Sequence, residues 1–208
     1  MKDFRRPPQE EVDRINRVQR ERFDQSYRLF EPPLPEGVPE RLAQIVAAPC
    51  IRQGESVLDV GAGTGILIPL IKNYRPGRVI ACDLSKAMLE QLETNYSGVE
   101  TIQADVRDLT LGDAIIDVVF INACYPNIAD KAGAFTNIAR MLKPAGRMVV
   151  SHPLGKAFVE TLKRGAPYPL DDFPSKSDAT NLFNPYGFKV KAYVDEPELY
   201  ILTLMKLN

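Results

Sequence analysis

Residues 55–71 read ESVLDVGAGTGILIPLI: an apolar run, three glycines at alternate positions (Gly61, Gly63, Gly65), then a second apolar run. Glycine belongs where the backbone turns sharply, or where something approaches closer than a Cβ permits. The first run predicts a buried strand and the second a helix, so the glycines form a loop between them. In a sheet wound this way ligands lie beyond the carboxyl ends of the strands, which is where this loop falls.

Downstream the same alternation continues. SVLDV, RVIACD, VETIQAD, IDVVFIN and RMVVSH read as strands. Helices are predicted over 86–95, with Met88, Leu89 and Leu92 on one face, and over 131–142, through Ala134, Phe135, Ile138 and Leu142 to a KPAG stop. Strands alternating with helices imply parallel pairing and right-handed crossovers, hence an α/β, doubly wound, mostly parallel sheet. The terminal FKVKAYVDEPELYILTLMKLN reads as two strands about a DEPE turn, an antiparallel hairpin that brings the sheet to seven strands.

Upstream, Val12, Ile15, Val18, Phe23, Tyr27 and Phe30 recur at helical intervals among mixed charges, predicting an amphipathic helix. The proline-rich EPPLPEGVPE breaks it, and a second helix is expected over 39–47. Residues 1–48 are thus expected to form a helical cap and 49–208 the main domain. Within the latter, 153–185 carries a short helical stretch and then proline-rich chain, a lid-like insertion too long for a plain connection.

Composition narrows the function. The 208 residues hold 26 Lys plus Arg against 27 Asp plus Glu, a balance that gives no sign of a nucleic-acid partner. No apolar run reaches the roughly 20 residues of a membrane span, and MKDFRRPPQEEVDR lacks the apolar core of a signal peptide, so a cytoplasmic protein without a membrane partner is expected. Cys50, Cys82 and Cys124 fit neither a disulfide framework nor a zinc site, and no metal is expected.

Two ligand classes use such a glycine loop. A dinucleotide fingerprint is G-x-G-x-x-G, but here Ile66 stands where its third glycine belongs, and no lysine follows as in a P-loop. The run Asp59, Val60, Gly61, Ala62, Gly63, Thr64, Gly65 instead resembles the D-x-G-x-G-x-G loop of the class I S-adenosylmethionine-dependent methyltransferases. Asp83 in VIACDLS, Asp105 in IQADVRDL, the IDVVFINACY segment and ARMLKPAGRMVVS resemble further motifs of that family, in the same order. The resemblance runs from about residue 40 to the C-terminus.

It implies a Rossmann-like methyltransferase fold and S-adenosyl-L-methionine as cofactor. Gly61 and Gly63 would meet its methionine part and ribose, Asp83 the ribose hydroxyls, and Asp105 with the Val106 amide the adenine, with Asp59, Ala62 and Leu84 also binding the cofactor. Asn122 would meet the methionine amino group. NACY matches the N-P-P-Y signature of amino-methylating relatives only at its ends, so a small-molecule acceptor is implied. Methyl transfer from a sulfonium releases a neutral thioether, so the enzyme mainly holds the acceptor in line, with one base at most. Tyr125 and the lone histidine, His152, are the catalytic candidates. A non-catalytic S-adenosylmethionine-binding protein and an NAD-dependent oxidoreductase are the alternatives; the oligomeric state is not legible.

Overall fold

In the computed structural model, which describes residues 4–207, the alternating runs become β1 (Ser56–Val60), β2 (Arg78–Asp83), β3 (Glu100–Gln103), β4 (Ile116–Asn122), β5 (Leu142–His152), β6 (Phe188–Glu196) and β7 (Leu199–Lys206). They form one sheet in the order β3-β2-β1-β4-β5-β7-β6. The first five strands are parallel, while β7 lies antiparallel between β5 and β6. Strand order reverses between β1 and β4, which opens a crevice at their carboxyl ends.

The helices are α1 (Gln9–Ser26), α2 (Val38–Ala47), α3 (Ile68–Lys72), α4 (Lys86–Asn95), α5 (Lys131–Met141), α6 (Gly155–Lys163) and α7 (Lys176–Phe183). On one face of the sheet, Leu42 and Ile45 of α2, Ile68 and Ile71 of α3 and Leu92 of α4 pack against Val57, Val79, Val118, Phe120 and Val149. On the other, Phe135 and Ile138 of α5 and Phe183 of α7 pack against Leu58, Ile80, Val119, Ile121 and Val150. Consecutive strand residues therefore serve opposite cores, which is why the strands read as unbroken apolar runs rather than alternating ones. Ser85, Asp130 and Ser175 cap α4, α5 and α7 by accepting from the amides of Met88, Gly133 and Asp178.

Three details depart from the sequence reading. The third strand stops at Gln103, so Asp105 lies in a turn beyond it, because its carboxylate accepts from the Arg107 amide and its carbonyl from Asp108. The last helix of the 153–185 stretch, α7, was hidden among prolines that flank 176–183 but do not enter it. Finally, α1 buries Val12, Ile15, Asn16 and Gln19 and leaves Val18 half-buried. At 100° per residue, positions 12, 15, 16, 19 and 23 share a face, and Val18 stands well off it.

Candidate functional site

The glycine loop leaves β1 and folds over the end of β2. The Gly61 and Ala62 amides both donate to the Cys82 carbonyl, at 2.8 and 3.2 Å, and the Gly63 amide donates to Asp83 Oδ2 at 2.9 Å. At Gly61, φ is +66° and a Cβ would stand 2.3 Å from Cys124 Sγ, so this glycine lets the loops after β1 and β4 interlock. Gly63 differs: with φ at +54°, its nearest neighbour for a Cβ is Met88 Sδ at 3.8 Å, leaving room on the open side. Gly65 serves packing, since a Cβ there would meet Leu92 at 2.8 Å.

Three carboxylates converge on the crevice. Asp83 is held by the amides of Gly63 and Ser85, the latter at 2.8 Å, and these donors partly offset the burial that raises its pKa. Asp105 accepts from the Arg107 amide at 2.9 Å and from Asn16 Nδ2 at 2.7 Å. Asp59 is 2% exposed and has no hydrogen-bond partner among the described residues. Burial, and then the charge of Asp83, pushes its pKa up to about 8.

Asp59, Gly61, Ala62, Gly63, Asp83, Leu84, Asp105, Val106 and Asn122 all line this one cleft. No lysine or arginine lines it among the described residues. The Val106 amide donates to no described residue, which leaves a hydrogen-bond donor beside the Asp105 carboxylate. An unpartnered buried acid, a free amide beside a carboxylate and an uncrowded glycine fit a nucleoside carrying positive charge.

Above the strands, α1 closes the cleft. Gln19 Nε2 donates to the Asn127 carbonyl at 2.7 Å, and Asp24 accepts from Ser85 Oγ at 2.6 Å and the Ala87 amide at 3.2 Å. Phe23 and Phe30, 5.9 Å apart, complete the wall, and Thr64 Oγ1 donates to the Phe30 carbonyl. Asn16 and Gln19 escaped the sequence reading because polar residues were assigned to solvent; their phase with Val12, Ile15 and Phe23 was the available signal.

His152 is not brought to the cleft. Its ring packs between Phe158 and Phe173, at 5.4 and 5.9 Å, and its Nδ1 accepts from the Leu154 amide. Burial pushes its pKa down to about 4, so the imidazole is neutral and packed. Tyr125 stacks on Phe173 at 5.4 Å, and burial raises its phenol, followed by the charges of Asp171 and Asp172. Its hydroxyl has no partner among the described residues.

Tyr125 lines a second cavity, which shares Ile128 and Ala129 with the cleft. Lys131, buried in its wall, donates to the Ile128 carbonyl and Asp171 at 2.8 and 2.5 Å and lies 4.8 Å over the Tyr125 ring. Cys124 lines the cleft, but burial pushes its thiol up to about 12, so it is not a thiolate at neutral pH. Among the described residues no group of His, Cys, Asp and Glu is arranged to hold a metal ion, and no helix is long and apolar enough to cross a membrane.

Sheet order, glycine loop and acidic strand ends define a Rossmann-like domain of the methyltransferase type. Residues 58–150 match the family described as Methyltransferase domain. The ubiquinone/menaquinone biosynthesis C-methyltransferase UbiE of Vibrio campbellii is 36% identical over 107 residues, which cover 48% of this chain and 41% of that protein. The O-methyltransferase cnsE of Penicillium expansum is 32% identical over 149 residues, covering 66% and 53%. A crystal structure of a SAM-dependent methyltransferase from Aquifex aeolicus superposes with a TM-score of 0.69 at 17% identity, covering 88% of this chain and 98% of that one. Over residues 58–150 the chain is similar to the methyltransferase domain, and its fold is that of S-adenosylmethionine-dependent methyltransferases. It spans about half or less of the length of the curated relatives it matches.

Proposed function

We propose that this protein transfers a methyl group from S-adenosylmethionine to a small-molecule acceptor. The observation that carries this reading is the acidic lining of the cleft, where Asp59, Asp83 and Asp105 stand without a lysine or arginine among the described residues. A pyrophosphate would bring negative charge against Asp83 and the protonated Asp59, whereas a sulfonium with an ammonium group brings positive charge that draws the Asp59 proton off. On this reading Asp83 accepts from both ribose hydroxyls, which suits a carboxylate already anchored by two amides. Asp105 and the Val106 amide hold the adenine, and Gly61, Ala62, Gly63, Leu84 and the Asn122 backbone frame the rest. Asp59 waits for the ammonium group.

The bound cofactor supplies an electrophilic methyl group and a neutral leaving group. What remains for the chain is to position the acceptor and exclude water. The cavity beside Ile128 and Ala129 is the place we assign to the acceptor. There the Tyr125 hydroxyl, kept protonated by burial, offers a hydrogen bond rather than a base. His152 acts as packing behind that site. Of the expected 1–48 cap, residues 4–48 serve as the cap, residues 1–3 lying outside the described residues, and 153–185 serve as the lid. The 153–185 segment crosses over the loop after β4, where the Asp171 amide donates to the Pro126 carbonyl and Tyr168 to Asn127. The relatives methylate carbon in one case and oxygen in another by their names, so neither atom is assigned here.

Calorimetric titration with S-adenosylmethionine, S-adenosylhomocysteine and NAD tests the donor. Binding of the first two alone is expected; binding of NAD alone would replace the reading with an oxidoreductase. Asp83→Ala should weaken S-adenosylhomocysteine binding at least about tenfold with an unchanged circular dichroism spectrum. Unchanged affinity would remove the ribose role of this carboxylate. Turnover in an acceptor screen separates an enzyme from a binding protein.

A further inference from the structure

Asn16 lies on the buried face of α1, 89 residues in sequence from Asp105, and its side chain meets that carboxylate at 2.7 Å. An ionised carboxylate only accepts, so the amide nitrogen faces Asp105 and the carbonyl Oδ1 is turned the other way. That oxygen has no hydrogen-bond partner among the described residues and is not fully buried. Asn16 is part of the lining of the cleft. A residue 8% exposed, on the buried face of an otherwise charged helix, thus presents an acceptor beside the acceptor it positions.

We propose that Asn16 is a specificity-determining residue for the base of the donor, selecting a purine with an exocyclic amino group. The inference rests on the reading of the cleft as the S-adenosylmethionine site. An amino group carries two N–H donors, and Asp105 with Asn16 Oδ1 supplies two acceptors. A 6-oxo purine would bring a third acceptor against these two, and a site built to receive donors rejects such an analogue strongly. Asn16 also positions: its donated hydrogen bond holds Asp105 Oδ2, while the Arg107 amide holds Oδ1. Arg107 Nε stands 3.9 Å from the same Oδ2 and has no hydrogen-bond partner among the described residues. Without Asn16, Asp105 is free to turn toward the half-buried Arg107 guanidinium and away from the base.

The test compares S-adenosylhomocysteine with S-inosylhomocysteine by calorimetry. The wild-type protein should prefer the adenosyl compound at least about tenfold, the worth of one charged hydrogen bond. Asn16→Leu should narrow that ratio to near unity, and Asn16→Gln should recover part of it. Gln19→Leu breaks the other bond from α1 to the floor, at Asn127, and should weaken both ligands alike with the ratio kept. A folded Asn16→Leu protein with the wild-type ratio would overturn the proposal while leaving the donor reading intact. A wild-type protein that binds neither ligand would overturn both.

Discussion

The floor and the cover of the cleft are built differently. The floor is made of strand ends and the glycine loop, and its polar groups are fixed by backbone amides: Gly63 and Ser85 on Asp83, Arg107 on Asp105. The cover is α1 and the 153–185 segment, and it reaches the floor mainly through single side chains such as Asn16, Gln19 and Asp24. Backbone anchoring survives most substitutions, whereas a side-chain tether vanishes with the residue that makes it. On the proposed reading the floor supplies most of the donor's contacts, and the cover adds single side chains, Asn16 among them, that tune what the cleft accepts. One consequence is that damage to the floor should register as lost stability, and damage to the cover as changed selectivity.

The largest effect should follow Gly61→Ala. The added Cβ would lie 2.3 Å from Cys124 Sγ and 2.6 Å from its Cβ, and the backbone there has φ of +66°. Overpacking together with the left-handed backbone penalty places the cost at about 3 kcal/mol, read as a lowered denaturation midpoint. Adding Cys124→Gly removes the atoms in the way and should return the overpacking part only. A single variant as stable as the wild type would show that the loops after β1 and β4 are not interlocked.

Two buried titrating groups sharpen the contrast, because they act with opposite sign. Asp59, in the floor, has its pKa raised from 3.8 to about 8, mainly by burial. As pH rises from about 4 toward 8 the unfolded chain releases this proton and the folded one keeps it, so stability falls across that window. Asp59→Asn should flatten the decline and raise the melting temperature at pH 8 more than at pH 5. If thermal scans of the variant keep the wild-type slope, Asp59 is already ionised in the folded protein.

Most of the floor was legible because its residues sit at strand ends, and strand ends follow from apolar runs of five or six residues. Asp83 closes such a run directly, and Gly61 and Gly63 follow one. Asp105 was expected at the cleft, and lines it although its strand ends earlier, since an aspartate that turns the chain looks the same in sequence as one that ends a strand. The cover was less legible. A helix whose inward face carries Asn16 and Gln19 violates the rule that polar residues face water, and Val18 offered a false ridge. The second cavity joins residues from the start of α1, the loop after β4 and the segment before α7, and no local pattern encodes such a meeting.

The smallest effect belongs to His152, and it tests the cover's inner packing. Its pKa is lowered from 6.5 to about 4 by burial between aromatic rings. The unfolded chain takes up a proton below 6.5 that the folded one refuses until about 4, so stability is lost as pH falls through that window. His152→Phe keeps a ring against Phe158 and Phe173 but leaves the Leu154 amide without its acceptor, at a cost of about 1 kcal/mol near neutral pH. The variant should unfold less readily on acidification from pH 6.5 to 4 than that cost alone implies, with methyl transfer to any identified acceptor unchanged. Loss of transfer by the folded variant would move His152 from the packing behind the acceptor cavity into the reaction itself.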